Sequence, residues 1–387
     1  MSTHSFYRLK SPFIKITFLL VLLFLFPLAP VFSQSAPKAS YFLDINYHQG
    51  TNYYPGGELE DELANGYSAI DVKFGWQPYD LESWAAIFNY ANYGLGFWAS
   101  HVGPKDIFGE PMALYFFINL PIYRSKNFEL MAGPAFGVSF NFEPYDPQTN
   151  PQNDITGGKA AAFFNPSLSV AYKITNDFDL RAGLEYTHMS NGGLRQPNTG
   201  FDMYGWNVGL RWHLNRNKYY EEIDYKNIFL EKEEKNKDNN SSINALLAIG
   251  IDQKLEDQGT DIRYNVATAT IEYQLKFNEI HGITAGLDLF YDESVKQDEE
   301  YQEYGTTVFP AIHFGYDFHF WKFSMRPHLG YLLSKAGRVS KESFFMKLAL
   351  TIDITQTLYF QAAVKTESIG FKADYADFGF GVKLFKK

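Results

Sequence analysis

After residue 33 the chain consists of short segments in which apolar and polar residues alternate, separated by glycine, proline, asparagine and aspartate. Alternation with a period of two predicts β-strands that have one apolar and one polar face. None of the segments approaches the ~20 consecutive apolar residues that a membrane-spanning helix requires. The predicted strands lie at 40–48, 66–77, 86–98, 110–123, 127–140, 160–174, 178–190, 202–214, 242–253, 261–277, 280–292, 305–319, 322–334, 342–354, 357–369 and 373–385.

The composition indicates what surrounds these strands. Aromatic residues make up 18% of the chain, yet its mean hydropathy is only −0.27. Many aromatic side chains in a sequence that is polar on average are typical of a barrel with a lipid-facing wall and a polar interior. The sequence therefore predicts an all-β fold, an antiparallel transmembrane β-barrel with strands of about ten residues.

Charge and cysteine content exclude several classes of function. The formal net charge of −10 argues against a nucleic-acid partner, because that affinity depends on lysine and arginine neutralising phosphates. The absence of cysteine removes disulfides, thiolate metal sites, a cysteine nucleophile and a lipoprotein anchor. The histidines outside the candidate site described below show no metal-ligand spacing, so we expect neither a metal nor a cofactor.

Residues 1–33 have the pattern of a signal peptide. A basic segment precedes an apolar core of 13 residues at 16–28, which is too short to cross a bilayer. Residues 31–33 suit cleavage, so the mature chain is expected to begin at Gln34. No stop-transfer pattern follows, which argues against an uncleaved anchor. Export of a barrel by such a signal predicts a location in the bacterial cell outer membrane.

A charged stretch at 215–241 separates two halves with similar strand patterns. Its charge density cannot bury a core, so it is predicted to be a periplasmic linker. With an offset of 180 residues, 171–190 aligns in phase with 351–370, which favours an internal duplication. We predict an eight-stranded barrel at 34–214 and a second barrel-like half, a degenerate repeat, at 242–387. The alternative is a single barrel of about 14–16 strands.

Two neighbouring strands carry polar residues on a face that is otherwise apolar. Over 178–190 the even positions are mostly apolar and the odd positions mostly polar, so the even positions should contact lipid. His188 and Ser190 are on that face, and Asp202 is on the corresponding face of the next strand. The connection between the strands is rich in glycine, proline and asparagine. It predicts antiparallel neighbours and brings the three residues together at one end.

Three polar side chains on a lipid-facing wall are costly unless they serve a function. They match the requirements of nucleophilic catalysis, with Ser190 as the nucleophile and His188 as the base that later acts as an acid. Asp202 would orient the imidazole and stabilise its charged form. The tetrahedral intermediate also needs oxyanion donors. The predicted donors lie in the connecting loop: Asn191, Gly193 and Asn198.

The run from His188 to Asn191 (His-Met-Ser-Asn), followed by Pro197-Asn198 and an acid at position 202, resembles the PagL-type lipid A 3-O-deacylases, or acyloxyacyl hydrolases. These are eight-stranded outer-membrane barrels with a His-x-Ser motif and a later glutamate. The resemblance covers roughly 40–214 and is specific in 186–206. It implies metal-free ester hydrolysis at the 3 position of lipid A. It also implies that Ser190 is the nucleophile, His188 the base and Asp202 the triad acid. The oxyanion loop of the family then falls at Asn191, Gly193 and Asn198.

The chain departs from the family pattern in two places. Asp202 stands where the family usually has glutamate, so its reach to His188 is shorter by one methylene. The second half has no counterpart in the short family members. It carries Ser368 and Gly370 at the positions aligned with His188 and Ser190, so it is expected to be catalytically inactive.

The strand order predicts the depth of the site in the membrane. A seventh strand runs outward if the N-terminus starts in the periplasm, so its end should meet lipopolysaccharide, with its lipid A, in the outer leaflet. The competing interpretation is a non-enzymatic barrel, either a small-solute channel or a structural surface protein.

Overall fold

The computed structural model describes residues 39–54, 57, 59–79, 83–216, 240–297, 306–334, 343–366, 368–369 and 372–386. The predicted signal peptide and most of the predicted linker lie outside these residues. Among them, no helix is long and apolar enough to cross a membrane.

Among its described residues, the first half contains ten strands and three four-residue helices. The strands are Ala39–Tyr53 (β1), Tyr67–Pro78 (β2), Asn92–His101 (β3), Gly109–Arg124 (β4), Phe128–Gly133 (β5), Ala135–Phe142 (β6), Ala160–Phe164 (β7), Ser167–Lys173 (β8), Phe178–Ser190 (β9) and Phe201–His213 (β10). The helices are Glu60–Leu63, Trp84–Ile87 and Lys105–Phe108.

The described part of the second half contains eight strands and two short 3-10 helices. The strands are Asn240–Asp252 (β11), Tyr264–Lys276 (β12), His281–Asp292 (β13), Val308–Phe320 (β14), Phe323–Leu332 (β15), Phe344–Asp353 (β16), Leu358–Thr366 (β17) and Ala373–Lys386 (β18). The 3-10 helices are Leu255–Asp257 and Ser294–Gln297.

Each half closes on itself. In the first half β10 pairs with β1 from Phe42–His213 to Tyr53–Asp202, and it also pairs with β9. In the second half β11 to β18 form a closed antiparallel barrel in chain order. The predicted all-β antiparallel barrel fold is confirmed. Because β10 pairs with β1 rather than with a strand of the second half, the alternative of one barrel of about 14–16 strands is wrong.

Two of the predicted strands are broken by proline. Pro134 separates β5 from β6 and Pro166 separates β7 from β8. Proline has no N–H to donate and interrupts the hydrogen-bond ladder. β5 and β6 both pair with β4, so together they occupy one strand position of the barrel. β7 and β8 both pair with β9 and together occupy the next position. The first barrel therefore has eight positions, and β9 is the seventh.

The predicted strand at 86–98 is wrong in its first part. Trp84–Ile87 is a short helix, and β3 begins only at Asn92. Asn89 and Tyr90 have φ of 52° and 55°, a left-handed backbone outside the extended region of regular strands. These two residues reverse the chain between the helix and β3.

The outward and inward faces of the first barrel differ as the alternation predicts. On β9, Leu180 and Leu184 are 46% and 65% exposed on the outer wall. The inward residues Arg181 and Glu185 are buried. Asp44 is also buried and binds Arg211 with two hydrogen bonds of 2.7 and 2.8 Å. Such ion pairs fill the lumen with partnered charges, as in other narrow barrels.

One end of the first barrel is closed by an apolar plug. The plug lies at the end where β9 finishes and includes residues from the helices at Glu60–Leu63 and Lys105–Phe108. Met189 and Phe201 point into it, at 1% and 2% exposure. Because side chains alternate along a strand, their neighbours Ser190 and Asp202 point to the outer wall.

The two barrels touch at the opposite end through aromatic side chains. Trp84 stacks on Trp321 with ring centroids 6.0 Å apart, and Phe116 stacks on Phe323 at 5.3 Å. Phe88, Ile118 and Phe320 lie in the same apolar cluster. The outer walls of β4, β14 and β15 thus form a packed contact between the two halves.

Candidate active site

His188 and Asp202 are direct partners in the antiparallel pairing of β9 with β10. His188 Nδ1 and Asp202 Oδ1 are 2.7 Å apart, and the side chains are 33% and 28% exposed. This bond fixes the orientation of the ring and directs Nε2 away from the carboxylate. The pair lies on the outer wall, where the other residues of the same face include Leu184 and Trp206.

Asp202 has a second partner that the sequence patterns do not reveal. The Tyr186 hydroxyl donates a hydrogen bond to Asp202 Oδ1, the oxygen that also contacts His188. The Tyr186 ring lies nearly parallel to the His188 ring, with centroids 6.4 Å apart. Tyr186 therefore holds the carboxylate in place from the side facing away from Ser190.

Ser190 ends β9, and Asn198 holds its hydroxyl group. Ser190 Oγ donates to Asn198 Oδ1 at 3.1 Å, and the same oxygen accepts the N–H of Asn191 at 2.9 Å. A backbone N–H can only donate, so this contact fixes which atom of the Asn198 amide faces Ser190. The Gly192 N–H points at Ser190 Oγ over 3.3 Å.

Ser190 and His188 meet at Gly200. A side chain on Gly200 would place its Cβ 3.2 Å from Ser190 Cβ and 3.4 Å from His188 Cε1. Gly200 also has a φ of +79°, which glycine adopts without strain. Among the contacts of the described residues, no hydrogen bond joins Ser190 Oγ to His188 Nε2. The two residues are neighbours on the outer wall.

The three predicted oxyanion donors occupy different places in the β9–β10 loop (residues 191–200). Asn198 touches Ser190 directly. The Asn191 N–H is engaged with Asn198, and its side chain closes a turn with the backbone of Arg195. Gly193 lies against the second barrel, where its carbonyl accepts a hydrogen bond from Gln253. The sequence interpretation missed Gly192, whose φ of +67° lets the backbone turn its N–H toward Ser190.

The β9–β10 loop is also held by the long loop between β6 and β7. The Gly200 N–H donates to the Ile155 carbonyl at 3.0 Å, and the Gly157 N–H donates to the Pro197 carbonyl at 2.6 Å. A Cβ on Gly157 would lie 2.2 Å from the Gln196 carbonyl oxygen, so the two loops are in direct backbone contact.

One group of metal-ligand residue types lies far from this site, inside the second barrel. It consists of Glu272, His313 and His328, all buried. The two imidazole rings stack 4.6 Å apart at 1°, so their in-plane lone pairs run side by side and do not converge on one point. Arg326 Nη2 is 2.6 Å from Glu272 and already neutralises it. We assign the group to the ion-pair network of the lumen.

The fold and the site together define a class of protein: a closed antiparallel barrel whose apolar outer wall carries a serine, a histidine and a carboxylate at one strand end. Comparison with protein-family models matches residues 40–211 to "Lipid A 3-O-deacylase (PagL)" and residues 241–387 to "Acyloxyacyl hydrolase, C-terminal domain". The two matches cover most of the chain. The chain belongs to the PagL lipid A 3-O-deacylase family, and the resemblance inferred from residues 186–206 is confirmed.

Solved structures with similarity to the chain are membrane barrels at low identity. Neisserial surface protein A is 11% identical, with a TM-score of 0.31, and the match covers 45% of this chain and 97% of that one. The Pseudomonas putida toluene transporter TodX is 9% identical, with a TM-score of 0.18 and 90% of each chain covered. A comparison with curated protein sequences returns no match.

Proposed function

We propose that this protein is a serine esterase of the outer membrane that removes the 3-O-linked acyl chain from lipid A. The observation that carries the proposal is the position of Ser190 beside the His188–Asp202 pair on the outer wall, at the end of β9. A site on that wall reaches a lipid ester without removing the lipid from the bilayer.

In the proposed reaction His188 Nε2 takes the Ser190 proton while Oγ attacks the ester carbonyl carbon. Ser190 Oγ must first turn from Asn198 toward the imidazole, and such contacts commonly tighten only when substrate binds. The C–O bond to the sugar then breaks as His188 returns the proton to the sugar oxygen. Water attacks the acyl-enzyme in the same way and releases the fatty acid. Asp202 keeps the proton of the neutral ring on Nδ1 and stabilises the imidazolium.

The oxyanion is proposed to form beside the Gly192 N–H and the Nδ2 group of Asn198. The Gly192 N–H already points at Ser190 Oγ, whereas Asn198 presents Oδ1 to Ser190 and would have to turn its amide to bring Nδ2 to the oxyanion. Donors that are in place before the reaction stabilise the developing charge without reorganisation. Gly193, one of the predicted donors, is proposed to act through its contact with the second barrel instead.

The strand order supports a site in the outer leaflet. β9 occupies the seventh position, so it runs outward from an N-terminus that begins in the periplasm. We propose that residues 1–33 are the export signal, that 34–214 form the catalytic barrel and that 215–241 link it to the second barrel, 242–387. A filled lumen argues against a small-solute channel, because ion pairs such as Arg211–Asp44 occupy the interior of the first barrel.

Substitution of Ser190 tests the function. Lipid A from cells that carry the wild-type chain, Ser190→Ala or the control Ser125→Ala would be compared by mass spectrometry. Ser125 lies in the exposed turn before β5, at the other end of the barrel. We expect the mass of one acyl chain to be lost with the wild type and the control, and retained with Ser190→Ala. Equal acyl content in all three would reject the esterase. If fatty acid is released from glycerophospholipid and not from lipid A, the substrate is a glycerophospholipid.

A further inference from the structure

The second barrel touches the β9–β10 loop through one glutamine. The Gln253 N–H donates to the Gly193 carbonyl at 3.1 Å, and the Gln196 N–H donates to Gln253 Oε1 at 2.8 Å. Gln253 directly follows β11. One residue of the second barrel therefore bonds two backbone groups in the loop that carries Gly192 and Asn198.

Gln253 is itself held rigidly. Its Nε2 group contacts the carbonyl oxygens of Asp257, Thr260 and Ile262 at 3.0, 3.1 and 3.0 Å. The side chain is buried, at 2% exposure. These contacts need an amide, because one end must accept and the other must donate. Gln253 is thus a fixed part of the second barrel.

The loop backbone also presses against the outer wall of the second barrel. A Cβ on Gly192 would lie 3.0 Å from Ala376 Cβ, and a Cβ on Gly193 would lie 2.8 Å from the Asp374 carbonyl oxygen. Both glycines have positive φ, +67° and +88°. Glycine is therefore needed here for the backbone conformation and for the close approach to β18.

The β6–β7 loop of the first barrel holds the same loop at Pro197 and Gly200. The loop is consequently clamped between the two barrels. We infer that Gln253 is a positioning residue for the esterase and that the second barrel acts as a brace for the Gly192 and Asn198 donors. This inference rests on the proposed function. A misplacement of about 1 Å in such a group can cost about 10²-fold in rate.

Docking of the two barrels does not depend on Gln253. The aromatic contact of Trp84 with Trp321 and of Phe116 with Phe323 lies at the opposite end of the barrels. A substitution at Gln253 should therefore remove the side-chain bond to the Gln196 N–H, while the backbone bond to Gly193 and the contact between the barrels remain.

The test uses the full-length protein in the outer membrane and after purification in detergent. Gln253→Met keeps the volume without the amide, and Gln253→Ala is a second variant. The matched control is Gln258→Ala, in the same β11–β12 loop, whose side chain does not contact the β9–β10 loop among the described residues. The rate is measured as kcat and KM for fatty-acid release from lipid A. Heat-modifiable mobility in gel electrophoresis shows whether the barrels are folded. Amide hydrogen exchange of residues 191–200 shows how firmly the loop is held.

For Gln253→Met we expect kcat to fall by between about 10- and 100-fold with KM within about twofold. Exchange in 191–200 should become faster, both barrels should remain folded, and Gln258→Ala should match the wild type. Unchanged kcat and unchanged exchange in either folded Gln253 variant would overturn the brace, even if Ser190→Ala is inactive. Full activity of Ser190→Ala would instead overturn the proposed function, so the two failures are distinguishable.

Discussion

Asp202 faces His188 directly across the β9–β10 pair, with Oδ1 2.7 Å from Nδ1. Residues opposite each other in an antiparallel pair have Cβ atoms about 4.5–5.5 Å apart, a distance that aspartate and histidine together span easily. The register thus lets the short aspartate side chain reach the imidazole.

Asp202→Asn should lower kcat for deacylation by about 10²- to 10⁴-fold. The amide keeps the shape of the side chain but neither fixes the imidazole tautomer nor stabilises its charged form. Asp202→Glu is the matched variant because it keeps the charge, and it should retain at least about ten times the activity of Asp202→Asn. Fatty-acid release from purified lipid A measures both. Activity of Asp202→Asn within twofold of the wild type would remove Asp202 from the mechanism.

Tyr186→Phe should reduce kcat by about 2- to 12-fold, the effect of one lost hydrogen bond to a positioned group. Without the hydroxyl, the Asp202 carboxylate is free to rotate away from His188. Tyr204→Phe is the control, because Tyr204 lies on the same wall with its ring centroid 5.0 Å from that of Tyr186 and is 52% exposed. An equal loss in both variants would point to general packing of the wall and not to the carboxylate.

The faces of β9 and β10 could be predicted from the sequence because side-chain alternation depends only on local order. His188, Ser190 and Asp202 were placed on one wall in this way, and the structure has them there. The strand breaks were harder. Pro134 and Pro166 lie within otherwise regular patterns, and their effect becomes visible only when the neighbouring strands are in place.

The contacts of Gln253 could not be predicted, because they depend on how two barrels dock. Gln253 and Gln196 are 57 residues apart in the chain, and nothing in their local sequence links them. The role of Gly192 was missed for a related reason. Neighbouring glycines look alike in a sequence, and only the backbone geometry shows that Gly192 faces Ser190 while Gly193 faces the second barrel.

Gly200→Ala should abolish most activity in a folded barrel. The new methyl group would lie 3.0 Å from the Met189 carbonyl oxygen and 3.2 Å from Ser190 Cβ, at a φ of +79° that disfavours alanine. Gly158→Ala is the control because it lies near the same loop, yet its nearest contact would be 3.4 Å. We expect the control to keep wild-type activity in the fatty-acid assay. Wild-type kcat for Gly200→Ala would show that the space between Ser190 and His188 is not needed.

Arg195 and Arg263 bring two positive charges to the end of the barrels where the β9–β10 loop lies. The guanidinium groups of both approach the exposed carboxylate of Asp261, at 3.4 and 3.6 Å. Arg263 Nε and Nη2 are buried and make no hydrogen bond among the described residues. Burial and the neighbouring Arg195 guanidinium lower the pKa of Arg263. Two neighbouring guanidinium groups suit a phosphate group.

If this pair binds a phosphate group of the substrate, Arg263→Gln should raise KM for phosphorylated lipid A by roughly three- to tenfold and leave kcat unchanged, because a guanidinium on the phosphate does not touch the ester. The effect should shrink at high salt, because exposed charges are screened. Dephosphorylated lipid A should show the same KM with the wild type and the variant. Lys126→Gln, an equal loss of charge in the turn at the other end of the first barrel, is the control. An equal rise in KM for both variants would mean that overall charge, and not this arginine pair, attracts the substrate.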